Sequence, residues 1–393
     1  MTHSHLPETI VSILQQLKPN DNDFLALHEP SFQGNEWKYV KDCLDTGWVS
    51  SVGKYVDQFE SMLQEYTGAK RAVAVVNGTA ALHISLLLVG VEANDEVLIP
   101  SLTFIATANA VAYCGAIPHF VDSQETTMGL DPGKLASYLE EIAIVQQEGC
   151  FNKRTGRRIK AVVPMHTFGH PMELDELVEI CERYQIELVE DAAESLGSYY
   201  KGKHTGNWGK VSALSFNGNK IITTGGGGAI LTNDEELGKL AKHLTTTAKI
   251  PHKWAFIHDR IGFNYRMPNM NAALGCAQME ILPAFIEKKR ALARRYQQAF
   301  QQVKGVTLVK EPENTKSNYW LHTLLLDHNA RSVRDDILAC TNEQGILTRP
   351  AWSLMHTLPM FCNAPRMDVS VAESLEQRIV NIPSSPFLGA AHV

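Results

Sequence analysis

Lys220 is the candidate in this sequence for a Schiff-base lysine. It closes the run Ser215-Phe216-Asn217-Gly218-Asn219-Lys220, after an apolar stretch, and Ile221-Ile222-Thr223-Thr224 and four glycines at 225–228 follow it. A lysine amine becomes a nucleophile when a confined site favours its neutral form, and glycines let backbone pack against a planar ligand. Alone, a lysine in a polar loop is usually a solvated surface charge. Two other segments argue otherwise. Glu190-Asp191-Ala192-Ala193 ends the strand-like run IELVE, and in an open α/β sheet the carboxyl ends of strands face the ligand crevice. Asp191 is therefore expected to project toward a bound molecule, with Ala193 leaving room for a flat ring. Asn77-Gly78-Thr79-Ala80-Ala81-Leu82 lies where a strand gives way to a helix. Free amides there attract anions, Gly78 allows close backbone approach, and Thr79 adds a hydroxyl.

An amine, a carboxylate and an anion cup together meet the needs of pyridoxal 5'-phosphate. That cofactor takes a lysine for an imine, a carboxylate to keep its pyridine nitrogen protonated, a cup for its phosphate and an apolar face for its ring. Phe104, in Ser101-Leu102-Thr103-Phe104, is placed to supply the ring face. No metal site is expected: His166 and His170 are four apart, but Gly169 and Pro171 break any helix that would align them.

The segments 77–82, 190–193 and 215–220, joined by Gly262-Phe263-Asn264-Tyr265-Arg266-Met267, resemble the DegT/DnrJ/EryC1/StrS sugar aminotransferases in the family's order, from about residue 30 to the C-terminus. The resemblance implies a fold-type I, aspartate aminotransferase-like α/β architecture, acting as a homodimer with shared active sites. It implies that Lys220 carries the imine, Asp191 pairs with the pyridine nitrogen and Phe104 stacks on the ring. Gly78, Thr79 and Ser215 would hold the phosphate, with Asn264 reaching it from the partner subunit. Lysine at 220, where the sugar dehydratase branch carries histidine, favours amino transfer. Glu194 stands where many members carry Gln or His, and a carboxylate beside the cofactor's phenolic oxygen repels it unless one of the two holds a proton.

The N-terminal segment and 244–254 resemble the branch that aminates UDP-linked 4-keto-6-deoxy sugars in bacillosamine and legionaminic acid synthesis. Glutamate is the expected donor and C4 the expected acceptor carbon. His252, Lys253, Trp254, Arg266, Arg349 and Trp352 are the cationic and aromatic candidates for holding the nucleotide sugar. A dTDP-sugar 3-aminotransferase, a cofactor-dependent sugar dehydratase and a non-catalytic cofactor-binding regulator are the alternatives.

These residues need a large scaffold, and the chain has one to offer. It has 393 residues, 44% hydrophobic and 20% charged, which is the composition of a globular protein rather than a disordered one. A net charge of −7 without basic runs argues against nucleic acid or an anionic membrane as partner. Seven scattered cysteines without a CxxC pair, and no signal-like N-terminus or run of roughly 18 apolar residues, point to a cytoplasmic protein. Strands are expected at 72–76, 97–100, 117–122, 160–165, 186–190, 211–216 and 228–232. Helices should begin near Thr79, Thr103, Pro132, Glu173 and Asp234. The expected division is a helical arm over 1–25 that ends at Pro19-Asn20, a large α/β domain over 26–280, and a smaller C-terminal domain over 281–393, hinged on a helix over 283–303.

Overall fold

The computed structural model describes residues 5–18 and 24–389; the expected break at Pro19-Asn20 lies outside them. All seven expected strands form one sheet: β1 (Arg71–Val75), β2 (Glu96–Pro100), β3 (Ile117–Val121), β4 (Ile159–Val162), β5 (Glu187–Asp191), β6 (Val211–Ser215) and β7 (Gly228–Thr232). Their order is β1-β7-β6-β5-β4-β2-β3. Every neighbouring pair is parallel except the two that β7 makes, with β1 and with β6. Two antiparallel steps restore direction, so β1 runs with β2 to β6. The carboxyl ends of β1, β2, β5 and β6 therefore share one edge, and the residues that follow them converge there.

The strands read as near-continuous apolar runs because both faces are covered. Val73, Val75, Val97, Ile99, Ala161 and Val189 share a core with the helices Gly78–Leu88 and Ile105–Tyr113. Ala72, Ala74, Leu214 and Leu231 pack on the other side with Phe59, Leu63 and the start of the helix Asn269–Phe300. Helix starts agree with the expected cap chemistry. The Asn77 side chain accepts from the Ala80 N–H at 2.8 Å, and Asp131 and Asp234 cap the helices that follow them.

A second antiparallel sheet has the order β8-β9-β11-β10, from β8 (Val306–Leu308), β9 (His322–Leu326), β10 (Arg349–Pro350) and β11 (Ile379–Ile382). The two sheets share the helix Asn269–Phe300. It begins 14 residues before the expected start at Pro283 and runs through that proline. Its first half, with Ala272, Ala273, Cys276 and Met279, is buried in the core of the first sheet. Its second half, with Leu292, Tyr296 and Phe300, packs on β8, β9 and β11. Position 280 thus falls inside one continuous helix. Leu6, Ile10, Val11 and Leu14 of the N-terminal helix Leu6–Gln15 join the second core as well.

Pairings that sequence reading missed are short. They are the ribbon Ala143–Gln146 with Gly149–Asn152, the hairpin Lys249–Ile250 with Ile257–His258, and the pairing of Thr315–Lys316 with Tyr199–Tyr200. Segments of two to four residues carry too little alternation to register as strands.

His170 gives this core an acid limit. Among the described residues both ring nitrogens are buried without a hydrogen-bond partner, the ring packs edge-on to Tyr319, and burial pushes its pKa down to about 4. The unfolded chain takes up this proton near 6.5 and the folded one near 4, so stability present above pH 6.5 is lost as pH falls toward 4. Urea unfolding of His170→Phe across pH 4–8 should show a shallower acid limb than the wild type; parallel curves would reject this source of acid sensitivity.

Candidate active site

The loop after β6 brings Lys220 to the shared sheet edge. Its Nζ lies 3.2 Å from Glu194 Oε1 and 3.9 Å from the centroid of the Trp320 ring, and its side chain is 12% exposed. Glu194 is buried, and its other oxygen accepts from the Phe168 N–H at 2.9 Å. Burial pushes the Glu194 carboxyl up to about 7, against the pull of Lys220 and the Phe168 N–H and with a push from Asp191. Burial therefore makes this carboxyl easier to protonate than an ordinary glutamate. The carboxylate conflict expected at this position has a local remedy.

Asp191 ends β5 and is 2% exposed. It accepts from Thr107 Oγ1 at 2.6 Å and from the Ala193 N–H at 3.2 Å. Burial raises its pKa, while these two donors and Lys220 oppose the shift. Thr107 lies one turn into the helix Ile105–Tyr113, and the half-exposed Phe104 stands immediately before that helix. Phe104 meets Trp352 edge-on at 6.2 Å, and Trp352 lies against Phe168 at 5.0 Å.

Gly78 opens the helix after β1 directly against the end of β6. A Cβ on it would sit 2.9 Å from Ser215 Cβ and 3.2 Å from Ser215 Oγ, so only glycine allows this approach. Thr79 is half-buried in the same first turn. Backbone amides, the Ser215 hydroxyl and a helix N-terminus therefore meet in one place. That donor set fits a phosphate.

The other candidates are dispersed. His252, Lys253 and Trp254 occupy the exposed tip of the hairpin Lys249–Ile250/Ile257–His258, where His252 Nδ1 accepts from the Trp254 and Ala255 N–H groups. Asn264 is exposed on the following segment and pairs with Thr246. Arg266 bridges Val75 through its backbone and lines a cleft of about 520 Å³ with Trp48, Val52, Tyr55 and Asn269. Arg349 donates to Asn342 Oδ1 and to the Thr348 carbonyl.

Glu190, next to Asp191, closes a loop rather than facing the crevice. It accepts from His166 Nε2 and from the N–H groups of Gly206, Trp208 and Gly209. This employs His166 fully, and among the described residues no group of three His, Cys, Asp or Glu is arranged to hold a metal ion.

Residues 30–393 match the description "DegT/DnrJ/EryC1/StrS aminotransferase family". The chain belongs to that family. This DegT/DnrJ/EryC1/StrS member is 39% identical over 364 residues to EpsN of Bacillus subtilis (strain 168), whose name carries a provisional assignment as a pyridoxal phosphate-dependent aminotransferase; the match covers 92% of this chain and 90% of EpsN. It is 35% identical over 370 residues to the GDP-perosamine synthase of Caulobacter vibrioides, covering 94% and 95% of the two chains. Among solved structures, the aminotransferase TlmJ from Streptoalloteichus hindustanus superposes with a TM-score of 0.83 at 27% identity, covering 92% of this chain and 94% of TlmJ. The fold is therefore fold-type I, and the protein is a pyridoxal phosphate-dependent sugar aminotransferase. The glycine-lined approach of Gly78 to Ser215, the buried Asp191 and the enclosed Lys220 fit that cofactor's phosphate, pyridine nitrogen and aldehyde.

Sequence reasoning missed Thr107, Phe168, Asn318 and Trp320. Nothing local marks Thr107, a buried threonine in the first turn of the helix after Phe104. Nothing local marks Trp320, which lies 100 residues beyond Lys220.

Proposed function

We propose that this enzyme moves an amino group from glutamate to the C4 keto carbon of a nucleotide-linked 4-keto-6-deoxy sugar, with UDP as the nucleotide. One observation supports the chemistry above all: Lys220 Nζ is enclosed between Glu194 and the Trp320 ring, on the sheet edge that also holds Asp191 and the Gly78–Ser215 cup. The cofactor, when bound, supplies an aldehyde that takes the amine and a ring that accepts the electron pair released at the substrate carbon.

The side chains do the rest. Lys220 Nζ is the group that would hold the aldehyde carbon, with loss of water, and as a free amine it would carry a proton to and from the reacting carbon. Proton transfer by a positioned base is worth about 10²–10⁴-fold. Glu194, 3.2 Å away, would be the partner of the Nζ protons. Asp191, held by Thr107 and the Ala193 N–H, would keep a proton on the pyridine nitrogen. Gly78, Thr79 and Ser215 would hold the phosphate, and Phe104 would cover the ring.

The site is proposed to be shared between two copies of the chain, with Asn264 of one subunit reaching the other's phosphate. The exposed apolar side chains beside it support this, with Trp254 75%, Phe256 81% and Ile261 84% exposed. His252, Lys253, Trp254, Arg266, Arg349 and Trp352 remain the proposed nucleotide-sugar contacts. The cytoplasm is the proposed compartment; all seven cysteines are free thiols, and no described helix is long and apolar enough to cross a membrane.

A GDP-linked sugar is the second reading, because a relative of nearly full coverage is named as a GDP-perosamine synthase. Purified enzyme incubated with glutamate and either UDP- or GDP-4-keto-6-deoxy sugar decides between them. Formation of 2-oxoglutarate with the UDP sugar, and at least about tenfold less with the GDP sugar, is the expected result. The reverse preference rejects UDP, and no 2-oxoglutarate with either rejects the substrate class.

A further inference from the structure

The second sheet reaches Lys220 through one ring. Trp320 lies just before β9 and is only 4% exposed. Its ring is nearer to an amine than in any other cation–ring contact among the described residues: 3.9 Å from Lys220 Nζ, against 4.1 Å for the next, Lys249 over Phe256. Trp320 is held at one point on its indole and two on its backbone. Its Nε1–H donates to the Asn219 carbonyl at 2.7 Å, its backbone N–H donates to Asn318 Oδ1 at 2.8 Å, and its carbonyl accepts from Lys289 Nζ at 3.1 Å.

Asn318 makes this arrangement specific. Its side-chain amide donates to the carbonyls of Glu194 and Leu196, both at 2.9 Å, while its oxygen orients Trp320. One buried asparagine therefore sets both neighbours of the Lys220 amine. Gly169, at φ +94°, leaves the space this requires, since a Cβ there would fall 2.0 Å from Asn318 Oδ1. Lys289 is fully buried and is held by the carbonyls of Trp320 and Ser384.

An indole face attracts a cation through its quadrupole and offers no lone pair that competes with Glu194 for the amine's protons. A lysine on a flexible four-carbon stem also loses many rotamers when it is confined, and a flat, rigid wall confines it without a bond that must later break. We propose that Trp320 is a positioning residue for Lys220: its indole face holds the charged amine beside Glu194 whenever nothing is covalently attached to Nζ. This rests on the reading of Lys220 as the cofactor-binding lysine. The other titratable groups around the amine are Asp191 and His28.

The test is a series of fluorinated tryptophans at position 320 of the full chain, which weakens the ring's attraction for a cation while nearly preserving its shape, with Trp320→Leu and Trp320→Phe alongside. The readout is labelling of Lys220 by isotopic acetic anhydride at pH 8 in cofactor-free protein, located by mass spectrometry, with Lys210 as an internal reference. Labelling of Lys220 should rise with each added fluorine, reach about tenfold in Trp320→Leu and fall between wild type and Trp320→Leu in Trp320→Phe, whose ring attracts a cation more weakly than an indole. The kcat should fall in the same order, with the KM for glutamate within about twofold. If Trp320→Leu does not fold, the fluorinated series decides alone. A flat labelling series overturns the inference even if kcat falls. Borohydride trapping of the cofactor in the same proteins tests the underlying reading separately: adducts at Lys220 with flat labelling reject only the role of Trp320, whereas adducts at another lysine reject both.

Discussion

Lys220→Ala should lose transamination by about 10⁴-fold or more, the largest effect expected of any single substitution in this chain. Two contributions vanish together, the covalent hold on the aldehyde and the base that moves the proton. Glu194 cannot replace either. It lies within hydrogen-bond distance of Nζ and is fixed there by the Phe168 N–H, so it faces the place the amine leaves. Removing the lysine also leaves Glu194 and Asp191 as two buried acids without their cation, which favours protonation of Glu194 and limits the damage to the fold. The variant should therefore still bind the cofactor through the cup, but borohydride should fix none of it to the protein. Steady-state formation of 2-oxoglutarate and mass spectrometry after reduction are the measurements. Turnover within about tenfold of the wild type, or a reduced adduct of unchanged yield, would remove Lys220 from the mechanism.

Asp191→Asn is expected to cost about 10²–10³-fold in kcat while cofactor content stays near stoichiometric. The substitution keeps the size of the side chain and can keep the Thr107 bond, but it removes the negative charge that would stabilise a proton on the pyridine nitrogen. A buried carboxylate with two donors is organised before any substrate arrives, so its charge acts at full strength at the moment of reaction. Thr107→Val is the companion variant. It removes one donor at 2.6 Å and leaves the charge, so a loss of about tenfold is expected, between wild type and Asp191→Asn. If Asp191→Asn turns over at the wild-type rate with full cofactor, the carboxylate has only a packing role.

Much of this architecture could be read along the chain. Seven strands and five helix starts were expected within a few residues of where they lie, because strands covered on both faces are continuously apolar and because Asn77, Asp131 and Asp234 announce helices by capping them. The central helix was misread at Pro283. Proline is usually found in a helix's first turn, but here the helix begins at Asn269, since the small apolar side chains before the proline are buried against the sheet. Tertiary burial outweighed the local stop signal.

The sequence by itself determined the chemistry's vocabulary: an amine at 220, an acid at 191 and a cup at 78–79, each placed where a strand ends, because chain order and strand direction alone send those ends to one sheet edge. Tertiary structure decided how that chemistry is tuned. The Glu194 carboxyl is pushed up by burial, Asp191 is aimed by a threonine 84 residues earlier, and Lys220 is held against a tryptophan 100 residues later. Those effects depend on distance and on exclusion of water. Both are properties of packing between segments far apart in the chain, and no local pattern of residues encodes them.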